Sequence, residues 1–225
     1  MTFDKNSFND FVIHRKIMTV SPTPFRLKSG KESHLYINWR QASNDVHSLD
    51  LAADFVLNFA QAHGIMPDCF FGVPEGATKL GILSTYKLAK SSPHYGCDSH
   101  CLPMGRGKIK DHGKPEDRYY IGLPQGQKTI VIEDVTTTGG SLIECIDLLR
   151  ESGVTVIGAL TLTNRQEDPT ALQSLFKTRY HGECPFYALT TLGDLLNRFI
   201  ETTDEPESIR TLLTKEFPNL ISQAA

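Results

Sequence analysis

The segment Thr129-Ile-Val-Ile-Glu133-Asp134-Val135-Thr136-Thr137-Thr138-Gly139-Gly140-Ser141 concentrates the most chemistry in the chain. An apolar run ends in two adjacent carboxylates. A turn of hydroxyls and glycines then leads into helical periodicity. Open α/β sheets bind ligands at the carboxyl ends of their strands. Backbone N–H groups at a helix start hold an anion, and the helix dipole favours it. Gly139 and Gly140 let the backbone approach closely, and Thr137, Thr138 and Ser141 add hydroxyl donors. Glu133 and Asp134 repel an anion, so they suit sugar hydroxyls or a metal such as Mg²⁺. The pattern asks for a phosphorylated sugar, with the anion at the turn and the diol at the acids. A plain strand–turn–helix junction would explain Ser141 as a helix cap. It would not explain two consecutive acids at the end of a buried strand. Neither G-x-x-x-x-G-K-S/T nor a G-x-G-x-x-G after a strand occurs.

Three other places carry candidate groups. Residues 105–118 mix charges with glycine and proline and have almost no apolar content. A solvated loop is the plain reading. Cations held near glycines also suit a mobile lid that closes over a diphosphate. Lys28 lies in a turn between two predicted strands, where a lone lysine reads as surface. Arg165 follows a strand, and its planar guanidinium can pair bidentately with a carboxylate. The alternative is an exposed arginine at a helix entry, paired with Glu167. His94, Cys97, His100 and Cys101 are compact but lack paired C-x-x-C spacing. That leaves a zinc site and an ordinary surface connection both open.

The elements that must position these groups alternate between short apolar runs and helical periods, which predicts βαβ units and a parallel sheet. A helix is expected around Phe8 to Ile13. Strands are expected at Phe25–Leu27 and Leu35–Trp39, about a turn at Ser29-Gly30-Lys31. A helix from Leu49 to Ala60 should end at Gly64. Buried strands are expected at Cys69–Val73, Thr129–Ile132, Val154–Leu162 and Phe186–Leu189, and a further one at Cys101–Met104. Helices should run from Gly76 to Ala89, over Leu142–Leu149, and through most of the chain after Leu192.

At 225 residues the chain is one domain by length. A core that size needs no disulfide or metal. The 23 basic and 26 acidic residues leave a net charge of −3, which argues against a general nucleic-acid binder. No apolar stretch approaches the roughly 20 residues of a membrane span. The charged N-terminus has no apolar signal region. Five cysteines, an odd number, read as reduced thiols in a cytoplasmic protein.

The Glu133–Ser141 segment resembles the motif that binds phosphoribosyl diphosphate (PRPP) in type I phosphoribosyltransferases. Three more segments follow the order found in the orotate phosphoribosyltransferase family. They are Phe25-Arg-Leu-Lys28-Ser-Gly30-Lys-Glu-Ser33-His-Leu-Tyr36-Ile37, Arg106-Gly-Lys108-Ile-Lys110-Asp111-His112-Gly113, and Asn164-Arg165-Gln166-Glu167. Together they span about residues 20–170. The resemblance implies an α/β fold: a type I phosphoribosyltransferase-like parallel sheet flanked by helices, with a small N-terminal hood. It implies a single phosphoribosyltransferase domain over 1–225. Residues 1–45 would contribute the hood and base-binding part, and 200–225 a C-terminal helical tail.

The activity implied is that of a pentosyltransferase in pyrimidine (UMP) biosynthesis. It moves ribose 5-phosphate from PRPP to orotate. By resemblance, Arg106, Lys108, Lys110, Asp111 and His112 form the catalytic loop. Glu133 to Ser141, with Glu75 and Gly76, bind PRPP. Lys28, Tyr36, Ile37, Thr137 and Arg165 meet orotate. Strand packing is an equal reading for Ile37. Mg²⁺ would be held mainly through PRPP, with Glu133 or Asp134 as the available carboxylates. The family also implies a homodimer whose loop 105–118 is shared between active sites. Gly107, Glu75, Gly76 and Asn164 depart from common family patterns. Two rival functions follow from the same residues: a related transferase acting on another base, and a non-enzymatic PRPP-binding regulator.

Overall fold

The computed structural model describes residues 2–26, 30, 32–107, 119–122 and 124–221. The element order is α1 (Lys5–His14), β1 (Met18–Arg26), β2 (Glu32–Ile37), α2 (Arg40–Ser43), α3 (Val46–Ala62), β3 (Cys69–Gly72), α4 (Thr78–Ser91), β4 (Met104–Gly105) and β5 (Tyr120–Ile121). It continues with β6 (Lys128–Thr136), α5 (Gly140–Glu151), β7 (Thr155–Asn164), α6 (Ala171–Arg179), β8 (Phe186–Thr191), α7 (Leu192–Thr202) and α8 (Pro206–Glu216).

The central sheet is four-stranded, in the order β3-β6-β7-β8. Every neighbouring pair in it is parallel. Because successive side chains alternate across a strand, β6 feeds two cores. Ile130 and Ile132 enter a cluster with Phe8, Val56, Leu80 and Leu195. Val131 enters the opposite cluster with Leu142, Ile146, Phe176 and Phe186. This two-faced burial explains why β6 and β7 read as near-continuous apolar runs.

The α/β architecture with helices on both faces agrees with the expectation, while several boundaries differ. β6 runs through Glu133 and Asp134 to Thr136, because Val135 and Thr136 still pair with Thr163 and Asn164. The acids therefore lie within the strand rather than at its end. Trp39 lies outside β2 and precedes α2. β1 begins at Met18, upstream of the expected start, and its pairing with β2 breaks register between Val20 and Phe25. The strand expected at Cys101–Met104 shrinks to the two residues of β4, paired antiparallel with β5. α6 was not anticipated, since only Leu172 and Phe176 of its nine residues are buried.

β3 and α4 meet backbone to backbone. A Cβ on Gly81, in the first turn of α4, would stand 2.4 Å from the Gly72 amide nitrogen. A glycine within a helix costs up to about 1 kcal/mol in helix propensity, and here close packing explains it. Gly81→Ala is expected to lower stability by roughly 1–3 kcal/mol despite its better propensity. Urea unfolding reads this directly, and an unchanged midpoint would contradict the close approach.

Candidate active site

The turn after β6 is shaped from within. Gly139 precedes α5 with φ +79°, a left-handed conformation that glycine adopts without strain. No side chain caps α5 among the described residues, so the first-turn N–H groups remain available to an anion. Ser141 is not the cap. Its hydroxyl donates to Glu133 Oε1, and the Thr136 hydroxyl donates to Glu133 Oε2 at 2.7 Å. Glu133 is buried and ties both ends of the turn together. Burial pushes its carboxyl up, the two hydroxyl donors oppose this, and the adjacent Asp134 adds to the rise.

Asp134 faces elsewhere. A Cβ on Gly76 would stand 2.5 Å from Asp134 Oδ2. The carboxylate therefore lies against the stretch between β3 and α4. Burial pushes the Asp134 carboxyl up as well. The backbone N–H groups of Val135 and of Asp134 itself oppose the shift, as does the charge of Arg40. Arg40 is a site neighbour that motif reading missed. It stands at the start of α2, and no spacing pattern connects it to β6.

Two departures from the family pattern touch each other. A Cβ on Gly107 would lie 2.4 Å from Glu75 Oε1. The acid at 75 occupies room that a side chain at 107 would need. Both line a cleft of about 240 Å³ with Arg106, Tyr119, Ser141 and Glu144. The loop stem is closed by β4–β5 and by the Arg106 N–H donating to the Tyr119 carbonyl at 2.8 Å. Lys108, Lys110, Asp111 and His112 lie outside the described residues, as does Lys28.

On the other side of the turn, the Arg165 N–H donates to the Thr136 carbonyl at 2.9 Å, and Gln166 Nε2 donates to the Thr137 carbonyl. Asn164 orders the same turn. Its Oδ1 accepts from the Gln166 N–H at 3.0 Å, and its Nδ2 donates to the Pro169 carbonyl at 3.2 Å. A neutral amide thus does the positioning there. Arg165 is half-buried, and its Nε has no hydrogen-bond partner among the described residues. Burial pulls the guanidinium below the usual arginine range, and Glu216 opposes that shift.

Tyr36 is exposed, with its ring 5.7 Å from that of Phe25. The Ile37 side chain belongs to the core, so what it can offer a ligand is its backbone. Two residues on, Trp39 Nε1 donates to Thr163 Oγ1 at 3.1 Å and pins the end of the hairpin to β7. Thr137, Thr138 and Gly140 are exposed and Val135 is half-buried along the same rim. Among the described residues, no three metal-ligating side chains come together. Cys101 Sγ, from the cluster considered for zinc, instead donates to the Gly122 carbonyl at 3.0 Å.

Comparison with known proteins identifies the family. The phosphoribosyl transferase domain family matches residues 110–179. The chain is 30% identical over 172 residues to the orotate phosphoribosyltransferase of Pyrococcus horikoshii, covering 76% of this chain and 83% of that one. It is 28% identical over 214 residues to that of Acinetobacter baylyi, covering 92% of each. The crystal structure of orotate phosphoribosyltransferase from Aeropyrum pernix shares the fold, with a TM-score of 0.66 and 24% identity over 87% of this chain and 99% of that one. The hydroxyl–glycine turn, the arginine beyond β7 and these relatives together place the chain in the orotate phosphoribosyltransferase family of the type I phosphoribosyltransferases.

Proposed function

We propose that the chain transfers ribose 5-phosphate from PRPP to N1 of orotate, releasing orotidine 5′-monophosphate and diphosphate. The observation that carries this reading is the joining of two subsites on adjacent strands. The uncapped turn before α5 suits a phosphate, and Arg165 offers a desolvated guanidinium to a carboxylate. The Arg165 N–H to Thr136 carbonyl bond holds them together.

In this reading the 5-phosphate sits on the N–H and hydroxyl groups of Thr137 to Ser141. Asp134 faces the ribose hydroxyls, while Glu133 holds the turn in shape. Gly76 leaves room for the diphosphate beside Asp134, with Arg106 at the rim and Glu75 against the loop stem. By family resemblance, Lys108, Lys110 and His112 bring further positive charge from the loop, and Asp111 is assigned no chemical step. Tyr36, the Ile37 backbone, Lys28 and Thr137 border the base. Arg165 pairs with its carboxylate.

The bond from sugar C1 to the diphosphate oxygen breaks, and its electron pair leaves with the diphosphate. Orotate N1 forms the new bond to C1, and the N1 proton is released to solvent or to the departing diphosphate, so no strong general base is demanded. The protein's task is to stabilise the departing negative charge and keep water from C1. Preorganised cations serve the first need, and loop closure serves the second. The donor set fits Mg²⁺ carried by the substrate. Glu133 is engaged by two hydroxyls, which leaves Asp134 as the hard oxygen donor beside the diphosphate stretch. One or two carboxylates plus substrate phosphates is the usual way Mg²⁺ is held. When bound, it neutralises charge on the leaving diphosphate.

The reading includes a cytoplasmic homodimer that shares loop 105–118. The family pattern of that loop supports the sharing. The free thiols of Cys69 and Cys184 suit a reducing compartment. No helix among the described residues is long and apolar enough to cross a membrane.

The test is a direct assay of purified protein with PRPP, Mg²⁺ and orotate, following loss of orotate absorbance. Uracil, adenine and hypoxanthine are run in parallel. Orotate-dependent turnover is the expected result. Turnover with another base alone would keep the PRPP site and overturn the assignment of Arg165. PRPP binding by calorimetry without turnover would favour a regulator.

A further inference from the structure

The hairpin that borders the base rests on a distant part of the chain. Glu216, the last residue of α8, accepts a hydrogen bond from the His34 backbone N–H at 2.8 Å, and another from the buried Ser33 hydroxyl. Ser33 Oγ also lies 3.0 Å from the Leu35 carbonyl and accepts from the Leu35 N–H at 3.1 Å. The position is informative. The β1–β2 ladder pairs Val20 with Leu35 and then Phe25 with Ser33, so its register breaks opposite His34. The carboxylate takes the N–H that the broken ladder leaves without a strand partner. A buried backbone donor needs such a partner. His34 Nδ1, 2.8 Å from the Ser21 carbonyl, bonds the other side of the same irregularity.

Glu216 also works toward β7. Its charge acts on Arg165 and opposes the cost of burying that guanidinium. The hairpin is thus held at two places. One is the buried Trp39–Thr163 bond, which ties its end to β7. The other is Glu216, which bonds Ser33 and His34. The first tie is neutral and lies in the core. The second is charged, part-buried and three residues upstream of Ile37 in its β2 contact.

We propose that Glu216 is a positioning residue for the base: through Ser33 and His34 it holds the start of β2, and with it Tyr36 and the Ile37 backbone, in place beside the base. This rests on the reading above that Tyr36, the Ile37 backbone and Arg165 border orotate. It adds the C-terminal helix to the base site, although that helix carries no part of the recognised motifs.

The test compares Glu216→Ala, Glu216→Gln and Ser33→Ala with the wild-type chain in steady-state kinetics for both substrates. Glu216→Ala is expected to raise KM for orotate about tenfold, the loss of hydrogen bonds to a charged group. KM for PRPP and kcat should change far less. Glu216→Gln keeps an acceptor oxygen but removes the charge, so it should fall between wild type and alanine. Ser33→Ala leaves the His34 bond and the charge, and should have the smallest effect. If Glu216→Ala does not fold, the glutamine and Ser33 variants still rank the charge against the hydroxyl bond. Equal rises in both KM values, or a lowered melting temperature with unchanged kinetics, would make Glu216 merely structural and overturn the proposal. A wild-type chain that does not use orotate would overturn the functional reading itself, which separates the two failures.

Discussion

Replacing Gly76 by alanine is expected to cut kcat/KM by roughly 10²-fold while leaving the chain folded, the scale expected when a reacting group is misplaced by about 1 Å. The added Cβ would lie 2.5 Å from Asp134 Oδ2 and 2.7 Å from Asp134 Cγ. Asp134 is short, half-buried and held by backbone N–H groups. The side chain must therefore turn away from the position in which the proposed function has it face the ribose hydroxyls. Folding should survive. Gly76 has no left-handed φ that alanine would strain, and alanine at a compatible position reduces unfolded-state entropy. Gly107→Ala is the natural control. There the Cβ would meet Glu75 Oε1 at 2.4 Å, but Glu75 is a long exposed side chain that can swing aside. A much smaller loss is expected. Steady-state kinetics with calorimetry of PRPP binding measures both variants. Wild-type PRPP affinity in Gly76→Ala would remove Asp134 from the sugar site.

How far the site could be read before the fold depends on whether its groups are neighbours in sequence. The Glu133–Ser141 turn was legible because strand, acids, hydroxyls and glycines follow one another without a gap. Arg165 was legible because it follows the next buried strand at the same sheet edge. Even so, the roles of the two acids could not be separated. Glu133 turns inward to Thr136 and Ser141, whereas Asp134 turns outward to Gly76. Adjacent residues of a strand point to opposite faces, but only the extension of β6 to Thr136 made that rule apply. The two charged residues after Ile132 hid that extension.

Contacts between distant segments were not legible at all. Glu75 and Gly107 each looked like an isolated departure, yet they occupy one space. Glu216 lies in a polar C-terminal helix whose only buried residue is Leu213, so periodicity gave it no distinction. β1 is interrupted by Ser21-Pro-Thr-Pro24, upstream of the strand expected at Phe25–Leu27. Proline removes a ladder donor, and the register break falls over those residues. That irregularity is also what leaves His34 for Glu216. The feature that obscured the strand created the need for the distant carboxylate.

The second large effect concerns Arg165. Arg165→Ala is expected to raise KM for orotate by roughly 10²-fold, the cost of losing one partner of a desolvated charge pair. PRPP affinity should be nearly unchanged, because the Thr136 carbonyl is held by the backbone N–H of residue 165, which alanine retains. Selectivity gives a sharper readout than KM. Uracil lacks the carboxylate, so Arg165→Ala should not weaken whatever turnover uracil supports, and the preference for orotate should collapse. Arg165→Lys keeps the charge but not the planar fork, and should recover only part of the loss. Stability should move the other way. The wild-type chain buries the Arg165 Nε without a hydrogen-bond partner among the described residues, and burying such a donor costs free energy. Removing it should leave the melting temperature unchanged or raise it in the absence of orotate. A residue held for folding would show the opposite: a lower melting temperature and an intact preference for orotate. In the proposed function, the cost of keeping the Arg165 guanidinium desolvated in the free protein is offset when a carboxylate binds, and that trade-off is what the paired measurement of stability and selectivity would expose.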